Sequence, residues 1–442
     1  MKRFILLLSI FIAINTFSQI KAQSLDTKYD NYRNNLVNYY MLGVGDIDGY
    51  SIAASERQTE SHRIKWADAT ISLGHYIGVL ATEYHILSAE KQNTQQTIKE
   101  LYYAISALYR LDYRAETYYI GEDSIKGVAK LNGFFIRDDI GSLSDKEYHR
   151  LNNNSKLTSV NRFESDLMDY DKALGFSINN EMSKDQVIFL LMGLQLVDKY
   201  IPEEISYYKG GERIAINYSP NISSIKLAAK HISILMLEYI SSNKNLLGWY
   251  IKNPITNKKV KRGFNAFHFQ AKAYNKIYER YTDGNNIYGR CNRLTSAIEN
   301  GLLRISIGTI TKKGQGHMVL TLAAISNQFG KKTQSKIFKY SFKKYSTNAN
   351  YEWESLLHAV LFSVKNDSLN AKKVWFENFL SDAPMNGPYN FKNGDKTSYD
   401  WSVSRRTTQP ENRGDKYTGY KATFNGLDYM LIYNLYRIYY LQ

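Results

Sequence analysis

"WADATISLGHYIGVLATEYHILSAEKQNTQQTIKELYYAISALYRLD", residues 66–112, carries the pattern that decides the fold class. Leu73, Tyr76, Ile77, Leu80, Tyr84 and Leu87 recur at the spacing of one helix face. Thr94 then stands as an N-cap, and Ile98, Leu101, Ile105 and Leu108 form a second stripe. Only the short "KQNT" separates the two stripes, so the helices are expected to fold back on each other as an antiparallel hairpin.

The same period recurs outward from this hairpin. Ser183 and Gln186 form a capping box before Val187, Leu190, Leu191, Leu194 and Val197, and Pro202 ends that run. Helical spacing also marks residues 26–41, 222–241, 264–282, 287–305, 317–328, 351–366, 369–380 and 425–441, the last opened by Asn425. Residues 331–346 are lysine-rich and carry no clear period. Few stretches read as strands and no fixed repeat length emerges, which disfavours an open solenoid. The expectation is an all-α chain: a single α/α toroid of about six helical hairpins spanning residues 23–442, with long loops over one mouth.

The first residues address the chain. Met1-Lys2-Arg3, the apolar "FILLLSIFIAI" and the small-residue exit "KAQS" read as a secretory signal peptide over residues 1–22, cut after Ala22. The apolar run is too short to span a bilayer, and no later stretch is long enough, so no transmembrane segment is expected. The mature chain is expected to be periplasmic or extracellular. Cys291 is the lone cysteine and excludes an intramolecular disulfide; a small core residue is the better reading of it.

The formal charge of +15 falls by three to +12 once Lys2, Arg3 and Lys21 are removed. That balance suits an anionic polysaccharide, a membrane surface or nucleic acid, and export argues against nucleic acid. The 37 tyrosines serve helix interfaces and sugar-stacking surfaces equally well.

A run of helical hairpins behind a secretion signal resembles the α/α-toroid proteins among carbohydrate-active enzymes, which include glycosidases and polysaccharide lyases. "SLGHYIGVLATEYHIL" (72–87), "LNGFFIRDDI" (131–140) and "FNGLDYMLIYNLY" (424–436) also resemble exported proteins of Bacteroidetes type. The resemblance implies a polysaccharide or oligosaccharide partner, and either a hydrolase or lyase or a non-catalytic glycan- or envelope-binding protein on the same scaffold. It carries over no catalytic residue.

Candidate chemistry comes from the residues themselves. Asp138 and Asp139 lie in the connection 119–182, but neighbours in extended chain face opposite ways, so at most one addresses a cleft. A glycosidase needs two carboxyls about 5–10 Å apart, normally from different segments. Asp112 continues the apolar stripe of its helix, where a carboxylate needs a partner or shifts its pKa upward. Asp185 and Asp428 read as first-turn residues facing a helix dipole. His75, His317 and His358 are proton-transfer candidates on or beside helices. In the loop from 382 to 417, Asn386, Tyr389, Phe391, Tyr399, Trp401, Arg405 and Arg406 offer stacking faces and carboxylate-binding groups. "DIDG" at 46–49 is out of register for a calcium loop and reads as a turn. Phosphate-loop, HExxH, GxSxG and zinc motifs are all absent, so no cofactor or metal is called for.

Overall fold

The computed structural model describes residues 24–42, 51–58, 61–66, 68–120, 129–140, 145–153, 157, 159–165, 180–243, 249–260, 267–285, 287, 316–328, 352–365, 367–383, 385, 390–391 and 422–442. Helices take up 60% of these residues, so the chain is mostly helical, as the period required.

Thirteen helices lie among the described residues. In chain order they are α1 (24–39), α2 (Ala69–Ala89), α3 (Gln95–Tyr113), α4 (Ala115–Ile120), α5 (Asp145–Asn152), α6 (Lys184–Tyr200) and α7 (Ile225–Ser242). Then follow α8 (Phe267–Tyr281), α9 (Gly316–Ile325), α10 (Glu352–Phe362), α11 (Asp367–Asn370), α12 (Lys373–Ser381) and α13 (Leu427–Tyr440).

Helix α2 is buried continuously from Ala69 to Thr82, which marks a helix packed on all sides; α3 is buried from Glu100 to Tyr109, with Gln95 and Gln96 exposed at its start. The two form the expected hairpin. Helix α2 packs on α6, α6 on α9, α9 on α10, α10 on α13, and α13 back on α2. Helices α3, α7, α8 and α12 lie against these, with α3 on α2, α7 on α6, α8 on α9 and α12 on α13. Helix α1 completes that outer set: Tyr29 reaches Glu83 of α2, Arg33 reaches Glu100 of α3, and the Lys28 Nζ donates to the carbonyls of Leu380, Ser381 and Ala383.

Contacts along α2 give its direction relative to its neighbours. Gly74 meets Phe189 and Gly193 of α6, while one turn on Gly78 meets Gly193 and Leu196. On the other side Ser72 meets Asn425, and Val79 and Thr82 meet Asn434 of α13. Both pairings advance together, so α2, α6 and α13 run in parallel. The C-terminal ends of α6 and α10 also meet, through Tyr200 on the Val360 carbonyl and Lys199 on Ser363. A Cβ on Gly193 would stand 2.1 Å from the Gly74 carbonyl oxygen, so glycine is what lets α2 and α6 approach this closely.

Short strands cap the N-terminal end of α2 and α13. The strands β1 (Met41–Leu42) and β2 (Ile52–Ala53) pair with each other, and β6 (Tyr208–Lys209) and β7 (Glu212–Arg213) form a separate hairpin. The other five, β3 (Glu56–Gln58), β4 (Arg63–Lys65), β5 (Arg162–Glu164), β8 (Asn390–Phe391) and β9 (Ala422–Phe424), form one sheet in the order β5-β4-β3-β9-β8. Strand β5 runs parallel to β4; the other neighbours are antiparallel. Each strand has two or three residues, too few for alternation to show, which is why the sequence reading found almost none.

Asn425 does not sit at the N-cap of α13. Gly426 does, in the left-handed region at φ 74°, while the Asn425 side chain accepts from Leu427 N and donates to the Ala54 carbonyl. No helix among the described residues is long and apolar enough to cross a membrane. The signal-peptide reading, Cys291, "DIDG" and the stretches 288–305 and 331–346 lie outside the described residues.

Candidate functional site

The segment 131–140 is fixed by its own acidic residues. Asp112, at the end of α3, accepts from the backbone N–H groups of Asn132 (3.1 Å) and Gly133 (2.9 Å). Burial pushes its carboxyl up to about 8 against the pull of those two amides, and the neighbouring Glu116 charge adds to the rise. Asp139 receives a two-pronged contact from Arg110 of α3, at 2.5 and 3.2 Å. Asp138 accepts from Ile140 N, while Asn180 bonds its backbone on both sides. All three carboxylates are buried; Asp112 and Asp139 tie the segment to α3, and the Asn180 side chain holds the Asp138 backbone.

That anchoring delivers the residue between them. Arg137 N bonds Asn180, its Nε donates to the Glu181 carbonyl (2.8 Å), and its guanidinium reaches Asp68 Oδ1 (2.9 Å). Asp68 is the N-cap residue of α2 and holds the left-handed conformation, φ 60° and ψ 31°. An aspartate tolerates that region better than most residues, and such strain concentrates at functional positions. Gln186, in the first turn of α6, donates to the same Asp68 oxygen at 3.2 Å.

A second carboxyl joins them. Asp185 lies in the first turn of α6 behind Ser183, whose hydroxyl donates to it, and Ser183 and Gln186 form the capping box that the sequence announced. The Asp185 carboxyl is raised by burial first and by the Asp68 charge second, with Arg137 pulling the other way. The first-turn reading of Asp185 therefore holds, and the same position brings it beside Asp68 and Arg137. Three segments far apart in sequence thus bring Asp68, paired with Arg137, and Asp185 within reach of each other's charge, where the parallel helices α2 and α6 both begin. Helix N-termini supply partial positive charge there. Asp68 keeps 49% of its side-chain surface, so this cluster is open to solvent. On either side of Asp68, the fully buried Trp66 Nε1 and Thr70 Oγ1 have no hydrogen-bond partner among the described residues.

The other expected residues are placed differently. His75 is fully buried between α2 and α6; its Nδ1 donates to the Ile71 carbonyl (2.9 Å) and its ring packs on Phe189. His358 bonds Asn327 at the C-terminal end of α10, away from the cluster. His317 occupies the first turn of α9, with its side chain outside the described part. Asn386, Tyr389, Tyr399, Trp401, Arg405 and Arg406 lie outside the described residues. No group of three or more acidic, histidine or cysteine side chains suited to a metal occurs among the described residues. Sequence reasoning missed Asp68, Arg137 as a site residue, Glu181 and Asn253. The available signal was the acidic residue just before the longest apolar helix, which reads as an ordinary cap.

No family model matches the chain, and comparison with curated proteins and with solved structures returned no match.

Proposed function

We propose that the protein is an exported carbohydrate-active enzyme, a glycoside hydrolase or polysaccharide lyase, acting where α2 and α6 begin. One observation carries this reading: Asp68, paired with Arg137 and open to solvent, and Asp185, buried in the first turn of α6, lie close enough for their charges to interact. A carboxyl raised by burial beside a second carboxyl open to solvent suits an acid–base division of labour. Asp185, whose carboxyl burial raises, takes the role of the acid that protonates the glycosidic oxygen. Asp68, oriented by Arg137 and Gln186, acts as the base on water or as the nucleophile. Hydrolysis then breaks the C–O bond, with Asp185 protonating the leaving sugar and water completing the other.

Arg137 favours a second reading. A guanidinium beside the base would neutralise a uronate carboxylate, as elimination requires. In that case Asp68 takes the ring proton and Asp185 protonates the departing oxygen.

The scaffold for both is a single α/α toroid over residues 23–442. The cyclic order of α2, α6, α9, α10 and α13, with outer helices against them, supports it. Export to the periplasm or beyond is supported by the basic, apolar and small-residue order of residues 1–24. The test is incubation of the mature protein with neutral and anionic polysaccharides. New reducing ends alone support hydrolysis, and the absorbance of an unsaturated uronate supports elimination. Retention on a glycan without products would leave a binding protein and overturn the enzymatic reading.

A further inference from the structure

Residues 249–260, "WYIKNPITNKKV", contain three lysines and no acidic residue. They form a small hairpin: Lys252 and Lys259 pair as an antiparallel bridge, Val260 N bonds the Ile251 carbonyl, and Asn257 turns at φ 55°. The Asn253 side chain closes the turn by accepting from Ile255 N and Thr256 N.

Two contacts clamp this hairpin to the site. Asn253 Nδ2 donates to Glu181 Oε1 at 2.8 Å, and the Glu181 carbonyl is the group that holds Arg137 Nε. At the other end Trp249 stacks on Tyr274, whose hydroxyl donates to the carbonyl of Lys184, the first residue of α6. The hairpin is therefore linked to the guanidinium through Glu181 on one side and to Asp185 through Tyr274 and Lys184 on the other.

Its charges are arranged unfavourably for a free surface. Lys184 is only 4% exposed, at a helix N-terminus where positive charge is disfavoured. Burial first, and the Lys259 charge second, lower its pKa to about 8. Lys259 is exposed, and its ammonium stands 4.6 Å over the Tyr250 ring. Lys258 and Lys259 stand exposed on a hairpin that carries no acidic residue, so an anion reaching it meets positive charge from the hairpin itself.

We infer that the 249–260 hairpin, with Lys184 and Arg137, is the specificity wall of the site and selects a glycan bearing anionic groups on its sugars. The Tyr250 ring holds the Lys259 ammonium in place at 4.6 Å, so the carboxylate or sulfate of a sugar meets a positioned cation. The inference rests on the Asp68–Arg137–Asp185 reading of the site, and its test separates the two.

The experiment measures affinity for a polyuronate, a sulfated glycosaminoglycan and a neutral glucan, using native protein, Lys259→Glu and Asp185→Asn. Lys258 and Lys259 are exposed, so the charge reversal leaves the fold intact, as a melting curve checks. Native protein is expected to hold one of the anionic glycans at least tenfold tighter than the glucan, with affinity falling as salt rises. Lys259→Glu is expected to weaken that binding about tenfold and leave the glucan unchanged. The polyuronate and sulfated arms identify which anion is read. Equal affinity for neutral and anionic glycans, or anionic binding unmoved by Lys259→Glu, overturns the inference. Native cleavage by Asp185→Asn with anionic binding lost in Lys259→Glu would instead overturn the catalytic assignment and leave the wall standing.

Discussion

Replacing Gly193 by alanine tests the helix contact on which the site depends. The new Cβ would lie 2.1 Å from the Gly74 carbonyl oxygen and 3.2 Å from Gly78 N, so the obstruction is backbone on both counts. Real Cβ contacts essentially never fall below 3.0 Å, so α2 and α6 must separate by about 0.9 Å. No rotamer change relieves that. Overpacking costs about 1–3 kcal/mol, and the rigid partner places this case at the upper end. Alanine's helix preference returns roughly 0.5–1 kcal/mol, leaving a net loss of about 2 kcal/mol. Gly78→Ala is the matched control, because its nearest obstacle is the Leu196 Cδ1 at 3.1 Å, a side-chain end that can turn aside. Urea denaturation of both variants should show a clear loss for Gly193→Ala and a change within about 1 kcal/mol for Gly78→Ala. Equal midpoints would refute the argument that glycine sets the α2–α6 distance.

Three further outcomes follow from the same contacts. Arg110→Ala leaves the buried Asp139 carboxylate without its two-pronged partner, so stability should fall by about 3 kcal/mol, measured by urea denaturation. Asp112 titrates near 3.8 unfolded and about 8 folded, so the native state holds a proton that the unfolded chain releases between those values. Native stability relative to Asp112→Asn should therefore fall by about 1.4 kcal/mol per unit as pH rises through that window, and parallel stability–pH curves would refute it. Lys28→Met removes three carbonyl contacts at the end of α12, and hydrogen exchange of residues 378–383 should quicken severalfold without a matching change in α6.

The helical class was legible because burial forces a period. The stripes on residues 73–87 and 98–108 and the Ser183–Gln186 capping box each have a local physical cause; the two helices and the box recur in the structure, with burial spreading well beyond each stripe. The site was legible only in fragments. "LNGFFIRDDI" drew attention to its two aspartates, yet their adjacency to Arg110 and Asn180 makes them anchors for the arginine before them. Asp68 gave only the signal of an ordinary cap, since a lone acid ahead of a helix is among the commonest of caps. What joins Asp68, Arg137 and Asp185 is the parallel packing of α2 and α6, and parallel neighbours separated by more than a hundred residues leave no trace in spacing.

The central claim is that Asp185 supplies the proton and Asp68 receives one. Asp185→Asn keeps the shape of the group and its contact with Ser183 while removing the transferable proton. Initial rates of glycan cleavage by native protein and by Asp185→Asn, followed against pH, test the claim directly. Native activity should decline on the alkaline side as Asp185 ionises, and the variant should be roughly a hundredfold or more slower while still binding the glycan. A variant that cleaves at the native rate with the same pH profile would contradict the assignment.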